Sequence, residues 1–344
     1  MLDGLTHEQQ MLQESTRRFV DEEMLPHEDI VDREGHVPIE LGRQIESRAK
    51  EVGLFAANLP ENVGGGGLDY TSMAVIEREF GRTSHALHAW VARPTELLLA
   101  TEGGQKEHYL DACVTGAKRE LFALSEPEAG SDIMSMKSHA KRDGDDWILN
   151  GSKHFISGPL MPDFAIVFAI TGHDETPRGP RPRITAFLVD VGMPGFDIQV
   201  GYNCVSYRGY LNFKLDFDNV RLSPNHILGE EGRGLELSGK WLGMGRIWVG
   251  ATCCGKAERL FEMATSWAAE RKQFGQAIGK FQATGFKLAD MAVELRAADL
   301  LVKDAISKAD QGVMTDSDAA MVKLYCSEML NRVADNTVQI YGGM

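Results

Sequence analysis

The chain has 344 residues, of which 43% are hydrophobic and 25% charged, an ordinary balance for a globular protein of two or three domains and one that excludes a disordered chain. A formal net charge of -14 argues against nucleic acid or an anionic membrane surface as a partner, because a phosphate-reading surface needs a basic excess, so any anionic ligand must be held by local groups. The five cysteines, Cys113, Cys204, Cys253, Cys254 and Cys326, are odd in number and show no CxxC spacing, so they read as free thiols rather than a disulfide framework or a zinc site.

No apolar run reaches the ~18 residues of a membrane span, and the opening MLDGLTHEQQ is polar and acidic, unlike a signal or transit peptide; a cytoplasmic location is expected. Residues 4–118 read as almost wholly helical. Thr6 followed by Gln9 is a capping-box pattern, and Met11, Leu12, Phe19 and Val20 recur at helical spacing until Pro26. A second helix is predicted from Pro38 to Val52, ended by Gly53. PENVGGGGLDY has four glycines but no following Lys-Ser or Lys-Thr, so it reads as a loop rather than a phosphate cradle. Further helices are predicted over Thr71–Gly81, through Leu97 to Leu99, and over Lys106–Val114. His85 and His88 lack a third ligand, and no metal is assigned.

From about Arg119 to Val220 the pattern changes to alternating or short apolar blocks, LFALS, DWILNG, FAIVFAI, ITAFLVDV and LNFKLDFDNV, separated by the turn signals DGDD, ETPRGPRPR and GMPGFD. In the last of these strands Leu211, Phe213, Leu215 and Phe217 are expected to pack, with Asn212, Lys214, Asp216 and Asp218 facing water. Helix then returns, over Leu235 to about Arg271, Thr284–Asp310 and Ser317 towards Gln339. The small side chains of GATCCGKA let another helix approach the first of these closely. Arg246, flanked by apolar and small residues, is expected on a buried helix and in need of a partner. The fold class is therefore α+β, in blocks 1–119, 120–232 and 233–344.

The stretch from Phe122 to Ser157 organises the chain. Two runs rich in Ser, Gly and backbone donors, LSEPEAGSD and NGSKHFISG, flank an alternating strand pattern, as expected where a sheet edge faces a polar, phosphate-bearing ligand. LSEPEAGSD resembles the signature of the acyl-CoA dehydrogenase family. NGSKHFISG, ILGEEGRG, AAERKQFGQAIGKFQATGFKLADMA and QIYGG match that family in the same order, and the resemblance extends over nearly all of the chain.

That resemblance implies an N-terminal helical domain, a central β-barrel-like or sandwich domain and a C-terminal helical bundle. It implies an FAD flavoprotein that oxidises an acyl-CoA thioester to the 2,3-enoyl-CoA in acyl-CoA or fatty acid catabolism. An electron-transfer flavoprotein is the implied electron acceptor and a homotetramer, a dimer of dimers, the implied assembly. Such chemistry needs a base at the α carbon, a hydride acceptor at the β carbon and donors on the thioester carbonyl. By motif position, Phe122, Leu124 and Ser125 are expected at the flavin ring, with Gly130 and Ser131 where flavin phosphate and the CoA arm pass. Phe155, Ile156 and Ser157 are expected to line the ring, Ser157 donating near its reactive nitrogen. The family more often has Trp at 155 and Thr at 125 and 157. Arg271, Gln273 and Phe274 are expected at the flavin pyrophosphate of a neighbouring subunit, Gln282 near the adenine end, and Gln339, Gly342 and Gly343 in a loop around the same cofactor. Ser131 and Arg246 are the expected substrate contacts, Arg246 as a support residue beside the cleft.

No residue can be named as the base. Most members carry it a few dozen residues after the glycine pair, and this chain stops at Met344; a minority carry a glutamate at the position occupied here by Gly245. The base is therefore expected beyond Met344, with the C-terminal segment missing and the bundle incomplete. Alternatives are a non-catalytic FAD- or acyl-CoA-binding subunit of a heteromer, an acyl-CoA oxidase, or a flavin monooxygenase of the same fold. VSYRGYLNF keeps the family's Arg208 and Gly209 but has Tyr210 where a small residue is usual, and ETPRGPRPR has no functional account.

Overall fold

The computed structural model describes residues 4–177, 179–205 and 207–344, so Arg178 of the ETPRGPRPR run and Ser206 of VSYRGYLNF lie outside the described residues. The helices are α1 (His7–Glu23), α2 (Glu28–Glu34), α3 (Ile39–Glu51), α4 (Tyr70–Phe80), α5 (His85–His88), α6 (Ala112–Val114), α7 (Gly234–Glu270), α8 (Gln282–Asp310) and α9 (Asp316–Tyr341). The strands are β1 (Glu120–Ala123), β2 (His139–Asp143), β3 (Asp146–Gly158), β4 (Phe164–Asp174), β5 (Arg181–Asp190), β6 (Phe196–Val200), β7 (Leu211–Leu222), β8 (Ile227–Leu228), β9 (Lys272–Gln273) and β10 (Gln276–Ala277). They form two compact units, one of residues 4–28, Leu68–His88 and Leu242–Met344, the other of Asp29–Gly67 and Ala89–Trp241. The helices of block 1–119 are thus divided between the two.

The first unit is helical. Thr6 caps α1 through the predicted box, its hydroxyl accepting from Gln9 N while the Gln9 side chain accepts from Thr6 N. The small residues of GATCCGKA do allow a close crossing: a Cβ on Gly255 of α7 would lie 1.7 Å from the Arg78 carbonyl oxygen of α4, and one on Gly81 would lie 2.2 Å from the Thr252 carbonyl oxygen. A helix crossing this tight leaves no room for water, so its charges must satisfy one another. Arg78, 1% exposed, donates to Asp299 of α8 and to both oxygens of Glu258 of α7. Arg17 of α1 pairs with Glu79 and Glu258, and Arg82 with Glu258 and Glu262. Burial works to raise the Glu258 carboxyl, but the hydrogen bonds and charge of Arg78 outweigh it and pull the group down to about 2.

The second unit holds an eight-stranded sheet with order β6-β7-β3-β2-β4-β5-β8, β1 pairing in parallel with β4. Its strands converge on one core that includes Leu121, Trp147, Ile156, Val167, Phe187, Phe213 and Leu215, as in a barrel-like or sandwich domain. The predicted strands are present; β2, β6, β8 and the β9–β10 hairpin, at two to five residues each too short to show a pattern, were not legible from the sequence. Residues 52–69 and 89–103 contain only short turns or 3-10 segments, and Leu97–Leu99 lies in one of them, so the helical reading of 4–118 was too generous. Irregular connections there carry apolar residues that pack as well as a helix would: Leu54, Phe55, Leu59, Trp90 and Leu98 are all buried.

No helix among the described residues is long and apolar enough to cross a membrane.

Candidate functional site

β1 delivers Phe122 and then, beyond its last paired residue Ala123, Leu124 and Ser125. Phe122 is half-buried against Trp241 at 4.4 Å and Phe168 at 5.0 Å between ring centroids. A tight turn follows, Glu126 and Ala129 exchanging backbone hydrogen bonds, and leaves Gly130 and Ser131 exposed. A Cβ added at Gly130 would meet nothing within 4 Å. Nothing in the fold itself therefore requires glycine there, and its open face leaves room for close approach of an external group.

Phe155 to Ser157 arrive on β3 by a different device. Lys153 pairs with Leu215 and Ile156 with Phe213, so one extra residue is inserted on β3, a β-bulge. Phe155 takes up the irregularity with φ 56°, a left-handed conformation that costs a bulky side chain on the order of 1–3 kcal/mol. The bulge puts Lys153 and Ile156 on the core side and turns Phe155 out to 60% exposure, with Ser157 also exposed. Ile156 is 3% exposed and packs in the core, so only its backbone faces outward. His154 and Tyr202 continue the aromatic ledge: His154 Nε2 lies 2.8 Å from Tyr202 Oη, and the Phe155 and Tyr202 rings are 5.4 Å apart.

The two runs are held side by side. His154 N donates to Ser125 O at 2.9 Å, and the buried Lys153 ammonium donates to Leu124 O at 3.0 Å and Glu126 Oε1 at 2.8 Å. Glu126 also accepts from the backbone of Lys137 and Ser138. Burial works to raise the Glu126 carboxyl, but the Lys153 charge and these donors keep it below the ordinary carboxylate range. Burial pushes Lys153 the other way, down to about 8, with Glu126 opposing. Sequence reading passed over both residues, although Lys153 shares strand parity with the buried Trp147 and Leu149, a usable signal.

Beside Ser157 a cavity of about 300 Å³ is lined by Tyr202, Cys204, Arg208, Tyr210 and Asn212 among others. Arg208 donates to the backbone carbonyl of Asp32 at 2.9 Å. Asn212 is 6% exposed, against its expected place on the wet face, because β6 and Gly201 cover this end of β7. A larger cavity, about 850 Å³, lies between segments 100–109 and 223–231 and contains none of the predicted site residues.

In the helical unit the remaining candidates form a second group. Arg271 follows the last residue of α7, and its guanidinium lies 5.9 Å from the Trp267 ring centre; Tyr341 stacks on the same Trp267 at 5.1 Å. This brings together two stretches separated by about seventy residues, since Gln339, Gly342 and Gly343 flank Tyr341 and are exposed. Gln273 belongs to the β9–β10 hairpin, and Phe274 at its tip, with φ 51°, is 94% exposed. Gln282 opens α8 and is exposed. Neither Trp267 nor Tyr341 was picked out by sequence reading.

Arg246 departs from expectation. Met244, Ile247, Trp248 and Ala251 form the buried stripe of α7, and Arg246 lies off it, exposed and without an ion pair or hydrogen bond among the described residues. The placement of the stripe, one residue out of phase with Arg246, is the reason. Among the described residues no group of three or more His, Cys, Asp or Glu side chains is placed to hold a metal ion.

Comparison with known proteins bears on what this arrangement is. Three family models match in order: acyl-CoA dehydrogenase N-terminal domain over residues 6–117, middle domain over 121–220 and C-terminal domain over 232–344. A 3-(aryl)acrylate reductase from Clostridium sporogenes is 34% identical over 98% of this chain and 89% of its own. The chain belongs to the acyl-CoA dehydrogenase family. A caffeyl-CoA reductase-Etf complex subunit, CarC, from Acetobacterium woodii is also 34% identical, with the same coverage. The butyryl-CoA dehydrogenase structure from Megasphaera elsdenii superposes with a TM-score of 0.86 at 32% identity, covering 100% of this chain and 90% of that one. Members of the acyl-CoA dehydrogenase family are FAD-binding oxidoreductases of the CH–CH class that act on acyl-CoA. One correction follows: the family's C-terminal domain is present, matched over 232–344 and folded as the helices α7 to α9, rather than missing.

Proposed function

We propose that this protein catalyses FAD-dependent α,β-dehydrogenation of an acyl-CoA thioester, forming the 2,3-enoyl-CoA and passing electrons to an electron-transfer flavoprotein. The observation that carries the reading is the lateral tie between the two polar runs, His154 N to Ser125 O and Lys153 to Leu124 O and Glu126. It supports one continuous ligand-facing wall from sequence segments about 25 residues apart.

The residues present suit a flavin. Bound flavin supplies a hydride acceptor for the substrate's β carbon. Phe122, Leu124, Ser125, Gly130, Ser131, Phe155, Ile156 and Ser157 are the residues that would hold it, offering aromatic faces, hydroxyl donors and an unobstructed glycine. Arg271, Gln273, Phe274, Gln282, Gln339, Gly342 and Gly343, all exposed, would serve a neighbouring subunit's cofactor in a homotetramer; Arg271 supplies the local cation an acidic chain needs. Ser131 and Arg246 are the proposed substrate contacts, Arg246 reaching from solvent rather than from the core. We assign no residue of this chain as the base for the α proton. The division into blocks 1–119, 120–232 and 233–344 and a cytoplasmic location belong to the same proposal.

A second reading runs the chemistry backwards. The two relatives above, an acrylate reductase and a caffeyl-CoA reductase subunit, favour reduction of a 2-enoyl compound, which for a CoA-binding chain is a 2-enoyl thioester. Anaerobic mixing of the FAD-loaded protein with acyl-CoA thioesters tests both. Bleaching of the flavin's visible band supports dehydrogenation. Reoxidation of chemically reduced protein by 2-enoyl thioesters, without bleaching by saturated ones, supports the reverse. No response to either leaves the binding-subunit alternative, and peroxide release in air identifies an oxidase.

A further inference from the structure

Strand pairing sets Ser157 of β3 directly opposite Asn212 of β7. Asn212 shares its parity on β7 with Lys214, Asp216 and Asp218, yet it is buried, and a buried carboxamide must find partners for its donors and acceptor. Its Nδ2 donates to Ser157 Oγ at 3.2 Å. Its backbone carbonyl accepts from Gly201 N at 2.5 Å, and a Cβ at Gly201 would lie 3.3 Å from Asn212 Oδ1. Oδ1 itself has no hydrogen-bond partner among the described residues.

A serine hydroxyl has one proton and two lone pairs. Because Asn212 Nδ2–H occupies a lone pair of Ser157, the Ser157 proton must be directed elsewhere. The internal acceptor within reach is the Phe155 carbonyl at 3.5 Å, the outer limit of a hydrogen bond. Ser157 is otherwise open to the outside. We propose that Asn212 is a positioning residue: by donating to Ser157 Oγ from behind, it fixes that hydroxyl as an outward-directed donor to the ligand lying against Phe155 and Ser157. This rests on the flavin reading above, and it adds a residue to which sequence reasoning gave only the role of a wet-face side chain. Polarity sets the effect. An aspartate at 212 accepts only, so it draws the Ser157 proton inward and removes the donor from the ligand side.

The test uses the full chain, with FAD titrated by fluorescence quenching and the visible spectrum of the bound flavin recorded. Asn212→Asp and Ser157→Ala are each expected to weaken FAD binding about fivefold, the loss of one hydrogen bond, and to shift the flavin spectrum in the same way. In a Ser157→Ala background Asn212→Asp should add nothing, because it acts through the missing hydroxyl. Should circular dichroism show Asn212→Asp unfolded by its buried charge, Asn212→Ala replaces it, with a smaller shift in the same direction that also vanishes in the Ser157→Ala background. Folded Asn212 variants with unchanged affinity and spectrum overturn the inference alone. So does an effect that keeps its full size when Ser157 is alanine. Failure of the unsubstituted chain to bind FAD overturns the flavin reading and this inference together.

Discussion

Lys153 Nζ lies 2.8 Å from Glu126 Oε1, with the two side chains 0% and 4% exposed. Removing one member of such a pair strands the other in a low-dielectric interior, which costs on the order of 3–5 kcal/mol. Lys153→Met should therefore lower the urea midpoint strongly, and adding Glu126→Gln should restore part of the loss. A double variant no more stable than Lys153→Met shows that the carboxylate is held by Lys137 and Ser138 instead.

Phe155 sits in left-handed backbone. Phe155→Gly removes the steric conflict, and the unliganded protein should become more stable by roughly 1 kcal/mol while FAD affinity falls. Thermal unfolding without cofactor and a flavin titration read the two effects separately. A fall in both would mean that the ring contributes more to packing than its exposure allows.

Glu258 ties stability to acid. In the unfolded chain a glutamate titrates near ~4.3, whereas the folded group is held at about 2, so the folded state binds fewer protons between those values. Its contribution is present above the unfolded value and is lost as pH falls towards 2, on the order of 2 kcal/mol. Urea midpoints at about pH 5 and about pH 3 should differ less in Glu258→Gln than in the unsubstituted protein. Equal differences remove Glu258 from the acid response.

Two glycines of α7 should respond in opposite senses to alanine. Gly255→Ala drives a methyl group into the Arg78 carbonyl and should cost roughly 1–3 kcal/mol or more. Gly239, with nothing within 4 Å, should gain up to about 1 kcal/mol from the better helix former. Melting temperatures decide. A neutral Gly255→Ala would show that α4 and α7 can separate without loss.

Arg271 is exposed, so Arg271→Ala should leave the unfolding free energy of the unliganded protein within about 0.5 kcal/mol of the original. It should nevertheless lose FAD on gel filtration. Full retention of yellow colour removes the proposed pyrophosphate contact.

Periodicity located the long elements well: the helix expected over Thr71–Gly81 is Tyr70–Phe80, and Thr284–Asp310 is Gln282–Asp310. It failed where backbone irregularity sets direction. The inserted residue at Phe155 resets which side chains of β3 face in, and no alternation rule signals it. Asn212 failed for a different reason, because burial there depends on the neighbouring strand β6 and on Gly201, which the sequence of β7 does not record. Arg246 was judged by its neighbours in sequence, whereas helical phase places it off their stripe. The two polar runs stood out in the sequence through their resemblance to a family signature, and the structure sets them side by side through His154 N and Ser125 O. Of the groups that hold them together, Lys153 was signalled only by its strand parity with Trp147 and Leu149, and Glu126 by nothing local.

Arg78 reaches its partner Asp299 across 221 positions of sequence. On the ribosome, Ala89–Trp241 can complete the sheet as soon as it has emerged, while α1 and α4 wait with their apolar faces and a charge meant for the interior still wet. The helical unit, which needs Leu242–Met344, is thus completed last, and during synthesis the α4 face around Met73, Ile76 and Phe80 is the surface a chaperone would need to cover.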